Sequence, residues 1–389
     1  MLNTVETGEV ETSGRLIAPN YRHGQGGEAL ELPAGTVVFS ADSHIDLSDD
    51  IFYERFPPHL KERAPRVWFE NGIWNIGQNG KSFLPPEFVA PLAQYDLLPG
   101  AATSHVEARI NDERNDGVER SLNFPNNMLV LLGLPDHDIR ERCFRLYNER
   151  LSELQEQAPG RFYGVGMINW WEPQGTRRTL NELKALGLKT FLLPQNPLTR
   201  PDGSVIDWGS TAMTPVWEEI ADSGLPVSHH IGESPKHCEH NPLAVGLLHN
   251  MASFREMFAK YIFGGILDRH PSLEIGWFEG GINWVASALQ DAQHVDMSIR
   301  HIFNWKLQHE VGDYWRKHMS ASFMVDPIGL ELIDRIGIEK VMWSSDYPHS
   351  ESTFGYSKHA IRSVVNAVGP DATPAILGGN VMRFLRLRH

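Results

Sequence analysis

Cysteine is nearly absent: a chain of 389 residues carries 2 of them. Cys143 and Cys238 cannot build a disulfide framework or a cysteine-rich zinc site. Cys143 stands in a helix-like stretch and reads as a packed thiol. Cys238 lies in a loop flanked by histidines, where a thiol nucleophile is the alternative reading. Long apolar runs are missing too. The longest are of strand length, far short of the roughly 20 residues that span a bilayer, so no membrane partner is expected. The stretch from Met1 to about Leu30 is polar, with Glu6, Glu9 and Glu11 and no apolar core. It reads as neither signal peptide nor anchor, and the expected setting is cytoplasmic. Positive charge is in deficit, with Lys+Arg 35 against Asp+Glu 49 and a formal charge of −14. A protein that coats nucleic acid needs a basic face, so no nucleic-acid partner is expected. A glycine-rich phosphate turn is also lacking after the first strand-like run, which ends in Asp42-Ser43-His44. That argues against an open dinucleotide-binding sheet.

Apolar content is ample, with 41% hydrophobic residues, and there are 18 histidines, more than packing requires. Residues 1–34 read as a flexible arm without periodicity. From there to residue 389 short apolar runs alternate with amphipathic stretches. The runs are 36–44, 117–125, 162–170, 188–194, 225–232, 273–280, 319–325 and 341–349. Between them 138–157, 174–186, 214–223, 243–268, 282–315 (with breaks), 327–336 and 358–368 have helical spacing. A C-terminal helix is expected over 377–387. Strands alternating with helices mean parallel strands buried on both faces. Eight such units predict an α/β fold of the (β/α)8 TIM-barrel type in one domain over 35–389.

Residues 47–104 do not fit a simple βα unit. Asn71-Gly72 and Asn79-Gly80 are hairpin-turn signals, so a small β-hairpin insertion is expected here. Loops that follow barrel strands build the active site, so this insertion should cap it. Trp74 would then line an apolar pocket. The stretch 282–315, with aromatics that look exposed, suggests association: a homo-oligomer, or a hetero-oligomer as the alternative.

Residue types that bind metals fall at the ends of several runs. Asp42 and His44 share one face of an extended segment by their i, i+2 spacing. His229 and His230 end the fifth run, Glu279 the sixth, and Asp346, Tyr347 and His349 the eighth. A barrel brings these ends to one rim. Imidazoles with carboxylates suit a divalent ion such as Zn, Mn, Fe or Mg. Glu279 is open to three readings, as base, acid or ligand. A purely structural one pairs it with Arg269 or Lys236.

The motifs SADSHIDL with HLKERAPRV, NDGVERSLNFP, GLPVSHHIG, FGGILDRHPSLEIGWFEGGINW, VMWSSDYPHSE and GGNVMRFL carry a resemblance from about Val37 to Leu387. The chain resembles the amidohydrolase superfamily, in particular the amidohydrolase-related group of aminocarboxymuconate semialdehyde and γ-resorcylate type decarboxylases. The resemblance implies a metal-dependent barrel with one divalent ion (Zn, Mn or Fe) per chain. By position it gives the ligands Asp42, His44, His230 and Asp346, with Glu279 and Asp346 as catalytic groups. His229, His349, Tyr347 and Trp74 would stand beside them or touch substrate. It implies a hydrolase or non-oxidative decarboxylase acting on a small carboxylic acid, aromatic or unsaturated. Two departures stand out. Asp42 takes the place of a first-strand His or Glu. Glu279 stands where many decarboxylating relatives have a histidine before Gly-Gly. No lysine ends the fourth run (LLPQNP; Lys189 is at the other end), so a lysine-bridged pair of metals is not expected. Two metals held otherwise remain an alternative, as in a dinuclear Fe or Mn oxygen-activating monooxygenase. A catalytically silent partner subunit is the other.

Overall fold

In the computed structural model, residues 30–70, 72–84, 104–232, 239–252, 254–349 and 351–387 are described. The arm up to residue 29, Lys236, Cys238 and residues 85–103 of the insertion lie outside them. The apolar runs form parallel strands that line up in chain order. β1 (Phe39–Ile45) pairs with β5 (Arg120–Pro125), and β5 with β6 (Phe162–Gly164). A second sheet runs in the order β7 (Gly166–Met167), β8 (Phe191–Leu192), β9 (Val227–His230), β10 (Ile275–Phe278), β11 (Met319–Phe323) and β12 (Val341–Trp343).

Two short links join these sheets into the expected barrel. β6 and β7 are one strand interrupted at Val165, whose N–H still donates to Asn123 O, while Gly166 N–H donates to Thr190 O. On the other side, Ser43 bridges to Tyr347. His44 N–H donates to Tyr347 O at 2.7 Å, and Asp346 N–H to Asp42 O at 2.9 Å. Among the described residues the strand order is therefore eight staves, all parallel, with the last returning to the first. The chain satisfies the buried backbone groups that an open edge would expose.

Helices cover the outside. Asp136 opens the helix His137–Gln157 by accepting the Ile139 N–H at 3.2 Å, and Cys143 packs on its buried face. Among the described residues no helix is long and apolar enough to cross a membrane. The stretch 282–315 breaks as expected, into Asn283–Ile299 and Val311–His318. Its aromatics are not exposed, however. Trp284, Tyr314 and Trp315 are buried against the barrel, and the exposed large apolar side chains are Val295, Met297, Ile299 and Ile302. The reason is that ring area is the most costly to leave in water. A helix of ten residues absent from the sequence reading, Val106–Asn115, precedes β5.

The insertion contains a three-stranded antiparallel sheet: β2 (Arg66–Glu70), β3 (Ile73–Gln78) and β4 (Lys81–Ser82). Its described turn residues are Gly72 and Asn79-Gly80. Gly72, Asn79 and Gly80 have φ of 82°, 54° and 72°, the left-handed values a tight hairpin requires.

Candidate metal centre

β1 is irregular. Its register against β5 shifts between Ser40 and Ser43, and such a bulge re-aims side chains at a barrel rim. Asp42 and His44 remain on one side, with Asp42 Oδ1 at 3.7 Å from His44 Nε2. From β9, His230 Nε2 reaches Asp42 Oδ1 at 3.3 Å and Glu279 Oε2 at 3.1 Å. From the segment after β12, Asp346 Oδ1 lies 3.0 Å from His44 Nε2. His349 Nδ1 lies 3.3 Å from Asp346 Oδ1 and 3.8 Å from Glu279 Oε1, its ring stacked on His44 at 3.8 Å. Three imidazoles and three carboxylates thus converge at the C-terminal ends of staves one, five, six and eight.

Within this cluster two quartets have donor atoms within 4.8 Å of one another: Asp42, His44, His230 and Glu279, and His44, Glu279, Asp346 and His349. Both oxygens of Asp42 and of Asp346, Nε2 of His44 and of His230, and Nδ1 of His349 are buried without a hydrogen-bond partner. Orphaned buried acceptors facing one another are costly unless a cation joins them. His230 Nδ1–H donates to Ile231 O at 2.8 Å, leaving the Nε2 lone pair for the cluster. Gln195 holds the same histidine's carbonyl by donating from Nε2 at 3.1 Å. The residues therefore fit a divalent ion.

The backbone is held under strain at two of these positions. Among the described residues only a handful of non-glycines have positive φ, and Glu279 (67°) and Asp346 (60°) are among them. Each such residue costs about 1–3 kcal/mol and persists where its surroundings over-determine it. Ser322 Oγ accepts the Glu279 N–H at 3.1 Å. The Gly280-Gly281 turn behind it has no room for side chains, since a Cβ on Gly280 would meet the Phe254 ring at 2.3 Å.

Without a cation the charges are in conflict. Burial pushes the Asp42 carboxyl up to about 7, against the pull of His230. Burial disfavours the His230 imidazolium, but the carboxylates of Asp42 and Glu279 pull it up to about 9. His44 is held well below the usual imidazole range by burial and by the imidazoles of His349 and His230. For His349, burial again opposes charge, yet Asp346 beside it holds it well above that range.

The expected site residues do not all meet. Asp42, His44, His230, Glu279, Asp346 and His349 are brought together. Glu279, expected as a catalytic group, stands among the donors. It makes no pair with Arg269, whose guanidinium donates to Gly264 O and lies over Trp305. His229 points the other way. Strand alternation sends its ring outward, where Nε2 meets the Tyr261 hydroxyl at 2.8 Å and the ring stacks on Trp277 at 5.0 Å. Burial takes its pKa down to about 3, so it is a neutral packing residue. Tyr347 is buried too, its hydroxyl donating to Asp112 Oδ2 at 2.7 Å, away from the cluster. Trp74 lies on β3 against the ring of Phe69 at 5.2 Å.

Two residues of the site escaped the sequence reading. Asn126 Oδ1 lies 3.3 Å from His349 Nε2 and can accept a hydrogen bond from its N–H. Arg109, wholly buried, donates to the carbonyls of His44 and Tyr347. Its helix buries Val106, Arg109 and Glu113 at i, i+3 and i+7, so the periodic face was present but polar, and an apolar-pattern search passes over it.

Solved structures share this fold. An amidohydrolase from Mycobacterium avium subsp. paratuberculosis K-10 is 19% identical, with a TM-score of 0.71 over 92% of this chain and 99% of its own. A 2,6-dihydroxybenzoate decarboxylase from Rhizobium is 13% identical, with a TM-score of 0.65 over 90% and 99%. A 5-carboxyvanillate decarboxylase from Novosphingobium aromaticivorans DSM 12444, complexed with manganese and 4-hydroxy-3-methoxy-5-nitrobenzoic acid, is 15% identical, with a TM-score of 0.65 over 92% and 99%. At these identities the likeness is one of fold. No curated protein matches the chain. The sequence model of one family, described as amidohydrolase, matches residues 126–387, which include His230, Glu279, Asp346 and His349. By that match, over more than half its length, the chain belongs to the amidohydrolase family.

Proposed function

We propose that this protein is a metal-dependent enzyme that removes CO2 from a small aromatic or unsaturated carboxylic acid without oxygen, or hydrolyses such an acid. The observation that carries this is the convergence of buried, unpartnered acid and imidazole atoms at one end of the barrel. Asp42, His44, His230 and Asp346 would hold one Zn, Mn or Fe ion, with Glu279 in reach of the same position. Such an ion supplies Lewis acidity toward a substrate carboxylate or water.

The protein's own groups supply the rest. His349 has 16% of its side chain exposed, more than any other member of the cluster, so it exchanges protons with solvent. Asn126 orients its ring, and Glu279 Oε1, 3.8 Å from its Nδ1, is the group to which or from which it passes a proton. In decarboxylation the pair delivers a proton to the carbon that loses CO2; in hydrolysis it accepts one from water. Phe124, 4.6 Å from His230 and 4.9 Å from Phe278, gives the cluster an apolar wall suited to an unsaturated acid. β3 lies against the 3-10 turn Asn127–Gly133 that follows β5. This supports the reading of 47–104 as a cap on a single barrel domain.

The test is to strip the protein with chelator, reload it with Mn2+, Zn2+ or Fe2+, and assay anaerobically on a panel of aromatic and enol acids. CO2 or hydrolysis product that depends on the metal is expected. Metal-replete protein inert across the panel would count against the proposal. One observation favours a second reading, a dinuclear oxygen-activating site: the two quartets overlap at His44 and Glu279. Three carboxylates also offer more negative charge than one divalent ion balances. This reading predicts close to two Fe or Mn per chain and substrate-dependent oxygen uptake.

A further inference from the structure

Four of the six cluster residues sit on the two chain segments that close the barrel. Asp42 and His44 belong to the first stave, Asp346 and His349 to the segment after the last. Two backbone hydrogen bonds cross the seam: His44 N–H to Tyr347 O and Asp346 N–H to Asp42 O. Beside them lies one buried cation. Arg109 Nη1 donates to His44 O at 2.5 Å, and Nη2 donates to Tyr347 O at 3.1 Å. The guanidinium also lies over the Tyr347 ring, its Cζ 4.7 Å from the centroid.

The other end of the guanidinium is held by charge rather than by a formed hydrogen bond. Its Nε faces Glu113 Oε1 at 3.2 Å, one turn along the same helix, and Glu113 Oε2 accepts the Ser121 hydroxyl at 3.2 Å on β5. Tyr347 is tied back to the helix through its hydroxyl on Asp112. The helix Val106–Asn115 therefore grips both sides of the seam through one planar fork. A fork of this kind suits two carbonyls held at a fixed separation, which the single ammonium of lysine cannot reproduce.

We propose that Arg109 is a positioning residue for the metal centre: by bridging the His44 and Tyr347 carbonyls, it sets the distance between the Asp42–His44 pair and the Asp346–His349 pair. It touches neither ion nor substrate. The proposal rests on the metal reading above and adds a residue that the donor set does not contain. Residues that orient ligands from behind typically change metal affinity by about 10- to 100-fold.

Arg109→Lys, which keeps the charge and loses the fork, is the test variant, read in two ways. Mn2+ titration of chelator-stripped protein, followed by electron paramagnetic resonance of the free ion, should show binding weakened about 10- to 100-fold. Hydrogen exchange of the metal-free protein should accelerate in peptides covering 40–46 and 344–349 and stay unchanged over β9 and β10. Folded Arg109→Lys with wild-type Mn2+ affinity and wild-type exchange at the seam would overturn the proposal. Where Arg109→Lys does not fold, Arg109→Gln is read in the same way. Wild-type protein that takes up no Mn2+ would count against the metal reading instead, and the exchange arm would still decide the clamp.

Discussion

Two stave ends on the same rim treat the same side chain in opposite ways. After β11, Asp326 is saturated: Oδ2 accepts from Ile282 N at 2.7 Å, Asn283 N at 2.8 Å and Asn283 Nδ2 at 3.0 Å, and Oδ1 from Gly329 N at 2.8 Å. Around the seam, Asp42 and Asp346 are as deeply buried, yet their oxygens accept no hydrogen bond. Asp326 caps a helix and fastens the turn behind Glu279. The other two face imidazoles and each other. Burial alone therefore does not separate a structural acid from a chemical one; the partners do. β9 sets two adjacent histidines in different company: His229 Nε2 meets the Tyr261 hydroxyl and its ring stacks on Trp277, whereas His230 Nε2 faces the carboxylates of Asp42 and Glu279.

The largest effects that test this contrast are on the open side. His230→Ala or Asp346→Asn should lower metal content and reduce activity by more than about 100-fold, more than is lost when a residue that only orients a ligand is changed. Unaltered activity in either variant would break the comparison. On the saturated side, Asp326→Ala leaves buried N–H donors unpaired and should cost about 2–4 kcal/mol in denaturant unfolding, with bound metal per folded chain unchanged. Asp42→Asn in metal-free protein should do the reverse, staying within about 1 kcal/mol of wild type or gaining stability, because function and stability pull apart at such sites.

The pH dependence of metal-free protein sharpens the point. Asp42 is lifted from 3.8 to about 7, so between these values the folded chain keeps a proton that the unfolded chain has released. Stability falls as pH rises through that window. His230 is lifted from 6.5 to about 9, and the stability it contributes is present below 6.5 and lost on the way to 9. The two act in one direction. Thermal scans of chelator-treated protein should show a melting temperature that declines from pH 7 to pH 9, above the range in which His44 and His229, held below 6.5 by burial, push stability the other way, and the decline should be less steep in Asp42→Asn, which no longer pulls on His230. A rise would contradict the charge conflict. The smallest effect belongs to His229→Gln: about 1 kcal/mol of stability for the bond to Tyr261, and no change in bound metal.

The sequence made the staves legible because parallel strands buried on both faces are continuous apolar runs, and the Asn-Gly pairs marked the hairpins. The convergence of Asp42, His44, His230, Glu279, Asp346 and His349 followed from strand ends meeting on one rim. Parity along β9 is not readable from two adjacent histidines, so His229 was set beside the cluster when its ring faces outward. Tyr347 followed the chemistry of its neighbours, while its hydroxyl is tied to Asp112. Arg109 and Asn126 act through backbone carbonyls and a ring edge, contacts that leave no spacing signature. The helix carrying Arg109 has a buried polar face, which periodicity treats as solvent.

Mn2+ titration of chelator-stripped wild-type protein and of His230→Ala, with elemental analysis of the saturated forms, tests the central claim most directly. The cluster as a metal centre predicts saturable uptake by wild type, with at least about one ion per chain, and its loss in the variant. No saturable uptake, or equal uptake by both proteins, would contradict it.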